Sequence, residues 1–269
     1  DGKGNQTTQM EQVDGFIKQG CDVICVNVVD RTAAAVLIDK AKEAQIPLLF
    51  FNREPVEEDL RRWEQVVYIG AKAEQSGVIQ GRMVVQAWQE EPERWDKNGD
   101  GILQYVLLEG EPGHQDALLR TEYAAKAMAA EGLSAQKLAG DTANWNRGQA
   151  MSKMSLWLDT YGEQIEAVIS NNDDMALGAI DAFLEREMQV PLVVGVDATQ
   201  QALEAIQEGT LYGTVHNDAK GIAQALLELC LVYSGTLDAS QAPALEKEHY
   251  LWFSYEGITA AQLDDWQEE

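Results

Sequence analysis

Along the chain, short β-branched or aliphatic runs alternate with longer amphipathic stretches. Residues 7–19 set Met10, Val13, Phe16 and Ile17 on one helical face, and Gly20 follows where a left-handed cap would end a helix. The run Val23-Ile24-Cys25-Val26-Asn27-Val28-Val29 has the pattern of a strand covered on both faces. A helix over 32–44 comes next, then Pro47 and the strand Leu48-Leu49-Phe50-Phe51. The same rhythm predicts strands at 66–69, 104–109, 136–140, 166–170 and 192–195. Between and after them it predicts helices at 72–90, 115–131, 146–160, 173–186, 198–208 and 218–234. Strands separated by helices of this length build parallel sheets through right-handed crossovers, so the class is α/β.

In such sheets ligands bind beyond the carboxyl ends of the strands. Six predicted strand ends deliver planar polar groups there. They are Asn52-Arg53-Glu54-Pro55, the loop Gly110 to Asp116 with His114, Asp141-Thr142-Ala143-Asn144-Trp145, Asn171-Asn172-Asp173-Asp174, Val196-Asp197-Ala198, and His216-Asn217-Asp218 after a segment around Val215. Asp and Asn at such places often only cap the next helix. Six together, with an indole and an imidazole among them, read better as a ligand surface. Asn52, Asp116, Arg120, Asn172, Asp197 and Asn217 can each serve neighbouring hydroxyls that both donate and accept. Trp145 offers a flat face for the C–H side of a pyranose. Neither a Ser nucleophile with its base nor a Gly-x-Gly-x-x-Gly phosphate loop is present in these segments. A neutral polyol fits better than a nucleotide.

Composition sharpens this. The 269 residues carry 45 acidic and 20 basic side chains, a net charge of −25. A surface this negative repels phosphate backbones and anionic headgroups, which argues against nucleic-acid and membrane-surface partners. The 45% apolar content is ordinary for a globular chain. No apolar run is long enough to span a bilayer. The chain opens on Asp1-Gly2-Lys3-Gly4-Asn5 with no secretory leader pattern, as a mature or trimmed chain would. Cys21, Cys25 and Cys230 are too few and odd in number for a disulfide framework, and Cys21 and Cys25, which flank Asp22-Val23-Ile24, are expected as small buried hydrophobes.

A second motif is sharper. Asp96-Lys97-Asn98-Gly99-Asp100-Gly101-Ile102-Leu103-Gln104 matches the start of an EF-hand-type calcium loop. Asp96, Asn98 and Asp100 supply side-chain oxygens, Ile102 its carbonyl and Gln104 an amide oxygen, while Gly101 allows the sharp turn. Position 12 is Leu107 rather than the usual Glu, so a last ligand must come from elsewhere or the site is weak.

With these segments in order along the whole chain, the sequence resembles the periplasmic galactose/glucose-binding proteins of bacterial sugar ABC transporters. The resemblance rests on Phe50 to Pro55, Asp96 to Gln104, Gly110 to Asp116, Asp141 to Trp145, Asn171 to Asp173, Gly195 to Ala198 and Asn217 to Ala219. It implies the periplasmic binding protein-like I fold, two doubly wound parallel-sheet lobes joined by a three-crossing hinge. The crossings would fall near Gly70-Ala71-Lys72, His216-Asn217 and Trp252-Phe253-Ser254. One lobe is then 1–70 with 217–252, and the other 71–216 with 253–269. Carried over by position, Asn52, His114, Asp116, Arg120, Asn172, Asp197 and Asn217 look like pyranose hydrogen-bonding residues, with Trp145 stacking on the ring. Asp96, Asn98, Asp100, Ile102 and Gln104 look like calcium ligands, and Glu166 like the missing bidentate carboxylate.

The implied function is a non-catalytic, periplasmic receptor that captures D-glucose or D-galactose between closing lobes. It would hand the sugar to a membrane ABC permease, with a chemoreceptor as a further partner. It would be soluble or lipid-anchored through a preceding N-terminus. Two alternatives stand beside it. A sugar-responsive regulator core shares the fold, but the calcium loop and acidic charge oppose it. A glycoside-active enzyme would use Asp116 and Asp197 as its carboxylate pair. One departure is marked: the family begins with a strand–helix–strand unit that has no counterpart here. A trimmed chain, a circular permutation or an insertion from another chain would each account for it. The expectation is a rearranged or incompletely represented chain, whose first sheet would be split. The absent unit would carry the second aromatic face and the C4 contact, so the choice between glucose and galactose stays open. His216 and Asp174 have no assigned role.

Overall fold

A computed structural model describes residues 1–266; the last residues of the 253–269 segment lie outside it. The elements run in order α1 (Gln6–Gln19), β1 (Ile24–Val26), α2 (Ala34–Ala44), β2 (Leu48–Phe51), α3 (Glu57–Leu60) and β3 (Val66–Ala71). Then come α4 (Ala73–Glu90), α5 (Pro92–Trp95), β4 (Leu103–Glu109), α6 (Gln115–Ala130), β5 (Ala135–Thr142) and α7 (Arg147–Tyr161). Next are β6 (Ala167–Ser170), α8 (Asp173–Glu185), β7 (Leu192–Val194), α9 (Gln200–Gln207) and β8 (Gly213–His216). The chain ends with α10 (Ala219–Tyr233), β9 (Tyr250–Phe253), β10 (Glu256–Thr259) and α11 (Leu263–Trp266). Two compact units result: Asp1–Lys72 with Asp218–Ser254, and Ala73–Asn217 with Tyr255–Glu269. The chain therefore passes between them three times.

The first unit holds a four-stranded sheet in the order β1-β2-β3-β9, parallel throughout. Strand alternation sorts its core into two faces. Ile24, Val26, Leu48, Phe50, Val66 and Tyr68 pack with Val13, Leu37 and Ile38 from α1 and α2. Leu49, Val67 and Ile69 pack on the opposite face with Ala225 and Leu229 of α10. The sheet is doubly wound, as its near-continuous apolar strands require. The split expected in it is not seen. Strand β1 pairs directly with β2, Ile24 opposite Leu48 and Val26 opposite Phe50, so the ladder is continuous.

Three readings of the first unit need correction. Strand β1 covers only residues 24–26, because Val28 and Val29 leave the ladder. Phe16 is 44% exposed and sits off the buried face that Val13 defines. Cys25 is exposed and Cys21 only half-buried, so neither is a core cysteine. Gly20, by contrast, does cap α1, with φ +71 and its N–H bonded to Ile17 and Phe16 carbonyls.

The second unit holds a six-stranded sheet in the order β10-β8-β7-β6-β4-β5. All pairs are parallel except β10 against β8. Helices α7, α8 and α9 bury Met154, Leu158, Ile180, Phe183 and Ile206 against Val106, Leu108, Val168 and Val193 of the strands. Helices α4 and α6 come together at Gly81, where an added Cβ would sit 2.5 Å from the Ala124 carbonyl oxygen. That contact sets the position of α6, which carries Asp116 and Arg120. Strands β8, β9 and β10 carry no strong periodic signal of their own, and pairing alone defines them.

Candidate functional site

The carboxyl ends of β4, β5, β6, β7 and β8 bring together most of the residues singled out in the sequence. At the end of β4, His114 caps α6: its Nδ1 accepts the Asp116 backbone N–H at 3.2 Å. One turn on, Asp116 Oδ2 lies 3.3 Å from Arg120 Nη2. Arg120 is 4% exposed. It donates from Nη1 to the Asn171 carbonyl at 2.8 Å and from Nη2 to the Tyr255 hydroxyl at 3.1 Å. Its buried Nε has no hydrogen-bond partner among the described residues. Burial alone would lower the Arg120 pKa, but Tyr255, Asp116 and Asp197 outweigh it and raise it, so the guanidinium stays charged.

Trp145 is half-buried just after β5. Two hydrogen bonds bind this loop to the end of β4, from Ala143 N–H to the Glu109 carbonyl at 2.8 Å and from Thr142 Oγ1 to the Gly110 carbonyl at 2.5 Å. The indole meets the His114 ring edge-to-face at 5.1 Å, and the Arg120 guanidinium lies 5.9 Å from its centroid. Glycine is required at 110, since a Cβ there would stand 2.1 Å from Trp145 Cη2. Asp197 follows β7. Its backbone N–H donates to the Val215 carbonyl at 2.8 Å, and its side chain is hydrogen-bonded to Asn217. Burial raises the Asp197 pKa, with Arg120 and Asn217 pulling against it and Asp116 and Asp174 adding to the rise. Asn172 caps α8, its Oδ1 accepting the Met175 N–H at 3.0 Å. For this residue the capping role and a ligand role coexist, since its amide NH2 is not used in the cap. Asn52 belongs to the first unit, exposed at the end of β2.

The backbone marks these places independently. Asn52, Asn144, Trp145, Asp197 and Ala198 all have positive φ without being glycine, at +63°, +52°, +61°, +118° and +54°. Such conformations cost energy and persist where the surroundings impose them, often at functional sites. Several participants carry no signal in the sequence. Tyr255 reaches Arg120 from 135 residues away. Gln80 donates to the Ser170 and Gly195 carbonyls at 2.7 and 3.1 Å, tying α4 under two of the strand ends. Asp173 is fully buried and accepts from Thr214 Oγ1 at 2.6 Å and Thr199 N–H at 2.9 Å. Burial pushes its carboxyl up to about 7. His216 meets the Trp266 ring at 4.3 Å, and Asp174 is exposed.

The loop before β4 is built differently. Asp96 Oδ1 accepts N–H groups of Gly99 and Asp100 at 2.8 and 3.1 Å, and Oδ2 that of Gly101 at 2.9 Å. Asn98 Oδ1 accepts from Asp100 N–H and Asp100 Oδ1 from Ile102 N–H, both at 2.8 Å. The Asn98 amide NH2 lies 3.0 Å from Asp100 Oδ2 and 3.1 Å from Gln104 Oε1, so two oxygens converge on one electropositive group. Glu166 is 1% exposed and closes the loop from below, taking the Lys97 N–H at 2.8 Å and the Gln104 N–H at 2.9 Å. Burial raises its pKa. Among the described residues, no three or more His, Cys, Asp and Glu side chains are gathered as a metal would need. Asp96, Asn98, Asp100, Gln104 and Glu166 carry oxygen donors, the type of ligand a hard cation takes.

The family profile described as periplasmic binding protein domain matches residues 1–235. The chain belongs to the periplasmic binding protein family. It is 37% identical over 267 residues to the D-galactose/methyl-galactoside binding periplasmic protein of Haemophilus influenzae, covering 98% of this chain and 80% of that one. It is 32% identical over 208 residues to a xylitol-binding protein of Mycolicibacterium smegmatis, covering 77% of this chain and 55% of the other. Among solved structures, an ABC transporter solute binding protein from Bacillus halodurans with bound myo-inositol superposes with a TM-score of 0.83 at 29% identity. That match covers 100% of this chain and 85% of the other. The sheets and helices described above are thus those of a type I periplasmic binding protein. No helix among the described residues is long and apolar enough to cross a membrane.

Proposed function

We propose that this periplasmic binding protein captures a hexose, D-galactose or D-glucose, in the periplasm and delivers it to a membrane ABC permease. The observation that carries the reading is the buried Arg120, with Asp116 and Asp197 beside it, an Nε without a partner among the described residues, and the Trp145 ring at its side. A sugar edge presents adjacent hydroxyls that accept from a guanidinium and donate to carboxylates. His114, Asn172 and Asn217 extend this polar surface. The relative named for D-galactose and methyl-galactoside supports a hexose over a pentose.

The role is binding without chemistry. Asp116 and Asp197 both act on one buried guanidinium, an arrangement that fixes hydrogen-bonding groups around a ligand. Titrating the protein with D-galactose and D-glucose, with D-ribose and myo-inositol alongside, is the direct test, read by Trp emission. Saturable stoichiometric binding of a hexose, stronger than either comparator, is expected. Preference for myo-inositol or D-ribose would overturn the hexose assignment, and turnover of an aryl galactoside would overturn the receptor.

For the loop at 96–104 we propose a structural calcium ion held by Asp96, Asn98, Asp100, the Ile102 carbonyl, Gln104 and Glu166. The convergence of Asp100 Oδ2 and Gln104 Oε1 supports this. Melting with calcium and with a chelator should differ by several degrees. Identical curves would remove the ion from the proposal.

A further inference from the structure

Cys25 and Cys230 are separated by 205 residues, yet their sulfur atoms lie 3.3 Å apart. Alternation along β1 explains the meeting. Ile24 and Val26 point to the α1/α2 face, so Cys25 points to the face covered by α10. On that helix Cys230 follows the buried Leu229 and packs against the same small core. Cys21 packs against the core on the opposite face of the sheet. All three are free thiols.

We infer that Cys25 and Cys230 are a disulfide-forming pair that fastens together the two chain segments of the first unit. That unit is assembled from Asp1–Lys72 and Asp218–Ser254, which enter it from either end of the intervening second unit. Noncovalently the segments meet along the β3–β9 ladder and where α10 covers the sheet. A bond from β1 to α10 joins them covalently at the far end of the strand order from β9.

The chemistry balances with an oxidant of the disulfide class. One cysteine thiolate attacks a sulfur of the oxidant and expels a thiolate, leaving a mixed disulfide on the protein. The second cysteine thiolate then attacks the protein sulfur of that bond and expels the other half. Two thiols have lost two protons and two electrons, and the oxidant has become two thiols. The sulfurs must approach from 3.3 Å to about 2 Å. Desolvation of its sulfur and the adjacent Cys230 thiol raise the Cys25 pKa to about 12, so without an oxidant Cys25 rests as a thiol.

Oxidised glutathione is the probe, applied to the whole folded chain. Thiols titrated after denaturation should fall from three to one. A non-reducing peptide map should join the Cys25 and Cys230 peptides. Cys21→Ser should form the same bond, whereas Cys230→Ser should form none. The oxidised protein should melt about 5 °C higher, a gain erased by dithiothreitol and absent in Cys230→Ser. Three remaining thiols, a bond that includes Cys21, or separate glutathione adducts on Cys25 and Cys230 would each overturn the pairing. A melting gain that survives in Cys230→Ser would overturn the fastening role.

Discussion

The strand-end cluster and the loop at 96–104 lie in the same unit and both draw on Asp and Asn side chains. They spend them in opposite ways. In the loop, the oxygens of Asp96 and Glu166 and one oxygen of Asp100 accept backbone N–H groups. In the cluster, Asp116 and Asp197 are set beside one buried guanidinium whose Nε has no partner among the described residues. An Asp answered by its own backbone builds a turn. An Asp answered by a buried cation is held in a fixed direction, with lone pairs left for a ligand. Substitutions in the cluster should therefore register in binding, and substitutions in the loop mainly in local stability.

Arg120→Ala is the most severe way to break this contrast. It removes the partner of Asp116 and Asp197 and the donors to Asn171 and Tyr255, and should cost about 3–5 kcal/mol of stability together with sugar binding. Denaturant unfolding measures it; a loss under 1 kcal/mol would mean that the cluster is not organised around this residue. Asp197→Ala should weaken hexose affinity by about 10–100-fold, equivalent to roughly 1–3 kcal/mol, with circular dichroism unchanged. Equal calorimetric affinities would remove Asp197 from the ligand surface. Gly110→Ala should cost about 1–3 kcal/mol, shift Trp emission and weaken sugar binding, because the new methyl displaces the indole. Wild-type emission and affinity in that variant would show that Trp145 does not face the ligand.

The pH dependence sharpens the comparison within the cluster's own support. Asp173 is raised from 3.8 to about 7 in the folded state. Between these values the folded protein holds a proton that the unfolded chain has released. Its contribution to stability therefore falls as pH rises through this window and levels off above it, with a slope of up to about 1.4 kcal/mol per pH unit. Asp173→Asn should flatten that fall, seen in melting temperatures at several pH values; parallel curves would refute it. The smallest effect is expected from Asp100→Ala. It should cost about 1 kcal/mol or less with a chelator present and abolish the calcium-dependent rise in melting temperature. An undiminished calcium response would exclude Asp100 as a ligand.

Much of the cluster was legible because its members sit at strand ends, and strand ends follow from hydrophobic pattern. Asp197 comes directly after the apolar run at 192–194, and Trp145 shortly after β5. What stayed hidden depends on contacts between distant segments. Tyr255 lies in a bend between two short strands, and nothing near it in the sequence announces Arg120. Asp173 stood in the sequence only as one of the polar run at 171–174, and its raised pKa comes from burial in the fold. Phe16 misled because apolar spacing shows which residues share a face, not how far the neighbouring helix extends over it.

By itself the sequence determined the alternating elements, the polar strand ends, the turn-forming loop at 96–104 and a charge unsuited to phosphate partners. These are local or additive properties of side chains, set by period, propensity and charge. Tertiary structure alone decided that β1 joins β2 directly, that Arg120 becomes the common partner of two carboxylates and a tyrosine, and that Cys25 meets Cys230. Each of these depends on which segments the sheets bring side by side, and strand order is a property of the assembled core rather than of any stretch of chain.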